Sequence, residues 1–264
     1  LMKKAFALFL VILLTLALTS VSILALDEEG LDSLDSITEG EEVSDTDTST
    51  DFVITDGVLV EYLGDGGEVI IPAGVTAIGE DVFSQCTALT KVTIPEGVIT
   101  IGKNAFLHCT GLQEVVFPNS LITVGYGAFF GCTGLTGFWV DAGNPYFSSD
   151  DRGVLFNKQK TALLLAPAKI SGHYTIPGSV TDIVYSAFDG CEKLVAITVP
   201  TSVTAIGNSA FYGCHNLTDV HYAGTQEQWN QLSVEANNLP LLNATFYFNS
   251  TGKSGWSLEN ENWY

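Results

Sequence analysis

The chain has 264 residues, a hydrophobic share of 46% and a formal net charge of -20, which is ample apolar material for a core. Its ten Lys and Arg residues are scattered, which excludes the clustered basic surface that nucleic acid requires. Five cysteines with no Cys-x-x-Cys pair exclude a zinc site of the usual short spacing.

Lys3 and Lys4 precede an almost unbroken apolar run from Ala5 to Leu26, the basic start and apolar middle of a secretory signal peptide. Ile23-Leu24-Ala25 offers a cleavage site, so 1–25 is predicted to be a signal peptide, with an uncleaved membrane anchor as the alternative. No Cys precedes Cys86, which removes a lipoprotein signal. Asp27 to Asp51 holds eleven acids and no Lys or Arg. Such a segment cannot bury enough apolar surface to offset its ordering entropy, and 26–51 is predicted to be an acidic disordered linker. Asp45-Thr46-Asp47-Thr48-Ser49-Thr50-Asp51 has the acids of a calcium loop but Thr50 at its turn glycine, so no metal is assigned there.

Beyond Phe52 an interval of 23 residues recurs. It separates Ile71-Pro72, Ile94-Pro95 and Phe117-Pro118; Phe83, Phe106 and Phe129; and Cys86, Cys109 and Cys132. After a break, Pro177, Phe188 and Cys191 are matched by Pro200, Phe211 and Cys214. Within one unit, Leu89 to Ile94 alternates Val92 and Ile94 against Lys91 and Thr93, the pattern of a half-buried strand ended by Pro95. Val98 to Ile101 is a second extended piece, Gly102 is placed to adopt an angle other residues avoid, and Asn104 to Cys109 is a short helical or 3-10 turn. No unit encloses its own apolar residues, so stacked neighbours must supply the walls.

Ile94-Pro95, Val98, Ile101-Gly102, Ala105-Phe106, Cys109 and Leu112 together resemble the BspA-like class of bacterial leucine-rich repeats. The likeness covers 52–248. It implies a β-rich, right-handed solenoid of stacked parallel strands, on or beyond the cell surface. Cys132 and Cys191 lie 59 apart, and the insert at about 144–177 lacks the Ala-Phe and Cys turn. Gly153-Val154-Leu155-Phe156 and Thr161 to Leu165 instead form a predicted internal hairpin. Phe52, Asp56-Gly57-Val58-Leu59 and Val69 to Pro72 repeat that theme as a hairpin-containing N-terminal cap, which closes an otherwise open stack end. Gly224 to Trp229 and Leu241 to Tyr247 resemble the family's terminator, with Trp229 a buried capping residue. In the tail, 249–264, Gly255-Trp256 through Trp263-Tyr264 is similar to the start of a choline-binding-like cell-wall repeat; a disordered tail is the alternative. Leu1 in place of Met and a stop at Tyr264 point to a piece of a longer protein.

Equivalent cysteines of adjacent coils point the same way, so Cys86, Cys109, Cys132, Cys191 and Cys214 are predicted to be buried thiols filling apolar space, not disulfides. His108 and His215 flank repeat cysteines and are expected in solvent. Aligning the units gives two outward strand columns: Thr93, Val116, Trp139, Thr175, Thr198, His221, and beside it Lys91, Glu114, Gly137, His173, Ala196, Asp219. Trp139, His173, His221, Lys91, Glu114 and Asp219 are the candidate ligand-binding residues, because an exposed solenoid face is where a partner docks. No catalytic residues, metal or cofactor are assigned: Gly252-Lys253-Ser254 lacks the upstream glycine of a phosphate loop, and no nucleophile elbow or His-Glu-x-x-His motif occurs. Paired carboxylates for glycoside cleavage would need two acids at one cleft, and Glu114 and Asp219 lie several coils apart. The expectation is an exported, monomeric, non-enzymatic adhesion module for a protein or glycan, such as host matrix or cell wall. The alternative is a structural spacer in a wall-anchored protein whose recognition or enzymatic domain lies outside this chain.

Overall fold

The computed structural model describes residues 51–252. The signal peptide, nearly all of the acidic linker and the Trp256 to Tyr264 segment lie outside the described residues. The chain opens on a hairpin of β1 (Phe52–Thr55) and β2 (Val58–Tyr62). Coils follow in which one longer strand is paired with a two-residue strand: β3 (Gly67–Ile70) with β4 (Ala77–Ile78), β5 (Leu89–Thr93) with β6 (Thr100–Ile101), and β7 (Glu114–Phe117) with β8 (Thr123–Val124). β9 (Gly137–Val140) leads into the insert, made of β10 (Phe147–Ser149), β11 (Leu155–Asn157) and β12 (Ala162–Leu165). The coils then resume with β13 (Gly172–Thr175), β14 (Asp182–Ile183), β15 (Leu194–Val199), β16 (Ala205–Ile206) and β17 (Asp219–Tyr222). Helix α1 (Gln226–Trp229), β18 (Ser233–Val234), helix α2 (Leu239–Leu242) and β19 (Thr245–Phe248) close the described chain. Among the described residues, no helix is long and apolar enough to cross a membrane.

The longer strands form two parallel ribbons, β3-β5-β7-β9 and β13-β15-β17-β19. The short strands form β1-β2-β4-β6-β8 and β10-β11-β12-β14-β16-β18, parallel apart from the hairpins. The internal hairpin is as expected at β11 and β12, and it carries a third strand, β10, that the sequence pattern does not announce. Each hairpin hands over to parallel stacking: β2 pairs with β4, and β12 with β14.

The repeat phenylalanines stand in file. Phe83, Phe106 and Phe129 stack with ring centroids 5.0 and 5.2 Å apart, and Phe188 and Phe211 at 4.9 Å, all with near-parallel planes. These distances match the roughly 4.8 Å strand spacing, so each ring packs against its counterpart one coil away. The core follows two clusters that meet at the internal hairpin: Leu155 belongs to the first, Val154 and Phe156 to the second. That division is a direct result of the break in the repeat.

The segment expected as a helical or 3-10 turn is a chain of separate turns. Ala105 N–H bonds the Gly102 carbonyl, Leu107 that of Asn104, and Cys109 that of Phe106. Asn104 and His108 have φ of 53° and 57°, which prevents a continuous helix and aims their N–H groups at the next coil. Gly102 needs no unusual angle, contrary to expectation. It is required for close approach, since a Cβ there would lie 2.6 Å from the Gly79 backbone. All five cysteines are free thiols; Cys86, expected to be buried, is only half-buried because it stands in the first full coil of the stack, and the four buried ones do more than fill space. The Cys109, Cys132 and Cys214 Sγ atoms donate to the carbonyls of Phe83, Phe106 and Phe188 in the preceding coil at 3.0, 3.0 and 3.1 Å. Burial pushes the Cys214 thiol up to about 12 and that of Cys191 well above the ordinary range, so both stay protonated donors.

At the entry to the insert, Asn144 is fully buried and satisfied on both ends of its amide. Nδ2 donates to the Pro118 and Leu121 carbonyls, and Oδ1 accepts from the Tyr146 and Phe147 amides. The C-terminal end is covered by Trp229, whose ring packs edge-on against Tyr222 and Phe246; Thr225 and Gln228 form a capping box on α1. Truncating a ring in the middle of the file should be far costlier than truncating an outward residue. Phe106→Ala is expected to lower the unfolding free energy by about 3–5 kcal/mol in urea titration, and Thr93→Ala by less than about 0.5 kcal/mol. Similar losses for both would contradict the stacked core.

Candidate functional site

Strand alternation turns Val92, Val115 and Phe138 into the core and their neighbours outward. On the first ribbon the register aligns Ile70, Thr93, Val116 and Trp139, and beside them Glu68, Lys91, Glu114 and Gly137. Ile70 is 71% exposed and Trp139 38%. The Trp139 ring lies across Gly137, where an added Cβ would come within 2.9 Å of it. This glycine lets the indole lie along the sheet. Lys91 is flanked in register by Glu68 and Glu114, so a line of alternating charge runs alongside the apolar column.

On the second ribbon the register aligns Thr175, Thr198, His221 and Tyr247, and beside them His173, Ala196, Asp219 and Thr245. The sequence columns therefore hold within each ribbon, but they are not one continuous face. The Asp150 to Gly153 turn is interposed: Phe138 N–H donates to the Gly153 carbonyl at 2.9 Å. The Arg152 guanidinium donates to the Ser171 and His173 carbonyls at 2.8 and 3.2 Å. Asp150 accepts from the Tyr174 hydroxyl at 2.6 Å. The candidate residues accordingly fall into two groups, Lys91, Glu114 and Trp139 on one ribbon and His173, Asp219 and His221 on the other.

The second group sits in a denser network than the sequence suggests. The His173 and His221 rings are 5.5 Å apart, and His221 stacks on Tyr247 at 4.8 Å. His173 Nε2 is 2.7 Å from the Thr198 hydroxyl, and His221 Nδ1 is 2.9 Å from the Ser250 hydroxyl. Asn249 to Gly252, assigned to the tail by sequence, lie back over this ribbon. The Asn249 and Ser250 amides bond the Gly224 and Tyr222 carbonyls, and a Cβ on Gly252 would come 2.6 Å from the Thr198 hydroxyl. Thr198, Ala196 and Gly137, expected on the outward surface, are buried; Gly252 lies against Thr198, and the Trp139 ring and Gly153 lie against Gly137. Arg152, Tyr247 and Ser250 were not legible as site residues, because their place depends on a non-repeating turn and on the last strand. His108 and His215 are exposed, as expected.

The Tyr247 phenol is raised by its hydrogen bond to Asp219. His173 is lowered: burial comes first, then the positive His221 and Arg152, with Asp219 opposing them. The unfolded chain therefore takes up a proton at His173 before the folded chain does. Stability from this site is complete above the ordinary histidine value of 6.5 and is lost as pH falls from there toward the lowered folded value. The thermal midpoint of the wild-type chain is expected to fall more steeply below pH 6.5 than that of His173→Gln; equal slopes in a pH series of melting curves would show that His173 titrates freely.

The family model described as "BspA type Leucine rich repeat region" matches residues 66–150 and 170–251 in six copies. No curated protein sequence matches the chain. Among solved structures, the pneumococcal vaccine antigen PcpA is similar at 23% identity and a TM-score of 0.51, over 65% of this chain and 55% of that one. The chain thus spans about half the length of that antigen. A leucine-rich repeat protein from Eubacterium ventriosum is similar at 20% identity over 72% of this chain and 71% of that one, with a TM-score of 0.42. The T. pallidum leucine-rich repeat protein is similar at 24% identity over 72% and 81%, with a TM-score of 0.38. With the repeat matched over more than half of its length, the chain belongs to the BspA-type leucine-rich-repeat family.

Proposed function

We propose that the chain is an exported binding module, held at or released from the cell surface, that engages a protein or glycan through its outward ribbons and catalyses no reaction. The observation that carries this reading is the exposed column Ile70, Thr93, Val116 and Trp139. Keeping such side chains in water is unfavourable, and aromatic residues are enriched among the anchors of binding interfaces. Glu68, Lys91 and Glu114 alongside supply orientation through charge. His173, Asp219, His221 and Tyr247 form a second polar patch suited to hydrogen bonding. Export is supported by Lys3-Lys4 and the apolar run that follows, and a surface or secreted location is in keeping with the BspA-type family and the likeness to a pneumococcal vaccine antigen.

The purified chain, arrayed against matrix proteins and wall glycans, should capture at least one class of partner. Trp139→Ala is expected to weaken that binding at least tenfold while keeping the thermal midpoint within about 3 °C, in line with a small stability change. A collapse of the midpoint would make the indole structural, and unchanged affinity would remove it from the binding face.

A further inference from the structure

The turns of neighbouring coils are held together by alternate backbone amides. Asp81, Phe83 and Gln85 donate to the carbonyls of Lys103, Ala105 and Leu107 at 3.0, 2.8 and 2.6 Å. Asn104, Phe106 and His108 donate to those of Tyr126, Ala128 and Phe130 at 3.0, 2.8 and 2.7 Å. Ser186, Phe188 and Gly190 donate likewise to Asn208, Ala210 and Tyr212. The next amides in the first series, those of Gly127, Phe129 and Gly131, meet no acceptor among the described residues, because the coil that follows them is the hairpin and has no turn. Across the gap, the Ala187 carbonyl accepts from Ala166 at 2.6 Å, while the carbonyls of Tyr185 and Asp189 meet no donor among the described residues. One wall of the gap thus offers donors and the other offers acceptors.

The gap is also hollow. In the first hairpin Tyr62 lies against Phe83, with centroids 4.8 Å apart, and fills the corresponding space. Leu59 pairs with Ile78 and Leu163 with Ile183, which puts Ala166 where Tyr62 stands. The smaller residue lines a cavity of about 500 Å³, which adjoins a second of about 430 Å³ at Phe129, Phe130 and Leu165. Tyr126 and Tyr185 bridge one end with rings 5.3 Å apart; they are 59% and 41% exposed, and both rings also pack against Phe130. At the other end stand Asp189 and Glu192 with His108 and His215. Burial raises the Asp189 carboxyl, with His108 opposing it, and among the described residues that carboxyl has no hydrogen-bond partner.

We propose that this notch takes an extended peptide segment of a partner protein, with one large apolar side chain against Phe129 and a Lys or Arg toward Asp189 and Glu192. Amides at alternate positions are the spacing with which a strand backbone accepts and donates, so the peptide would pair by strand addition with the Gly127, Phe129 and Gly131 amides, beside the Ala166–Ala187 bond that already fills the middle of the facing wall. A glycan's hydroxyls both donate and accept, but they do not repeat at the alternate-residue spacing of a strand backbone that these walls present. The acidic rim, in a chain of net charge -20, selects a basic residue. The notch is separate from the outward ribbons and does not depend on their role.

The test selects a phage-displayed library of random dodecapeptides on the full chain and re-measures the enriched sequences as synthetic peptides. Enriched peptides are expected to combine a large apolar residue with Lys or Arg, and to slow hydrogen exchange at the Gly127, Phe129 and Gly131 amides at least tenfold. Asp189→Lys should weaken binding at least tenfold. Ala166→Tyr, which copies the first hairpin, should abolish binding while raising the thermal midpoint, and Trp139→Ala should leave it unchanged. The proposal is overturned if no sequence is enriched, if binding follows Trp139 and leaves the three amides untouched, or if those amides in the free chain already exchange as slowly as those of Asn104, Phe106 and His108.

Discussion

No coil of this protein closes a core on its own; its apolar face and its backbone polar groups are both completed by the next coil. Phe106 illustrates the double dependence, since its ring lies between Phe83 and Phe129 and its amide bonds the Ala128 carbonyl. The 23-residue interval follows from this, because a coil of different length would move the ring and the amide out of step together. The glycines at the crossings follow too. A Cβ on Gly125 would sit 2.5 Å from the Gly102 backbone, so a side chain there would hold adjacent coils apart and stretch every bond above and below. The thiols serve the same end, since a Cys Sγ–H reaches the preceding Phe carbonyl in a space too small and apolar for a longer donor.

Such a stack has to be started, and each start exposes backbone and apolar surface. The chain uses the same device twice, an antiparallel hairpin whose second strand templates parallel growth. At the first hairpin, Tyr62 covers the initial phenylalanine. At the second, Ala166 does not, and the earlier stack is left with three turn amides that meet no acceptor among the described residues. Unpaired backbone groups in a partly buried setting are uncommon and unfavourable, which makes the second hairpin a join with unfinished hydrogen bonding and not a mere continuation of the repeat.

This explains which parts were legible in the sequence. The Phe, Cys and inward strand positions were readable because every coil imposes the same packing on them. The outward columns were readable within each ribbon for the same reason, strand register being fixed by the buried side chains. Their interruption was not, since it depends on Asp150 to Gly153, a turn with no counterpart in other coils. The proximity of His173, His221 and Tyr247 was hidden because Tyr247 belongs to β19, which continues the ribbon without carrying the repeat's Phe or Cys. The absence of a turn from the insert was visible, but its consequence required knowing that Ala166 and Tyr62 occupy equivalent places.

The two candidate surfaces differ in what evolution can alter. On the ribbons, recognition as proposed would rest on outward side chains such as Trp139 and Lys91, which stand clear of the buried file of rings beneath. In the notch it rests on backbone groups of Gly127, Phe129 and Gly131, which no substitution short of proline removes. Side-chain changes at Tyr126, Tyr185 or Asp189 would tune access and charge there without abolishing the hydrogen-bonding frame. A family that varies its outward residues freely could therefore change what the ribbons bind while keeping a peptide slot wherever a hairpin interrupts the turns, provided that the residue at the place of Ala166 stays small.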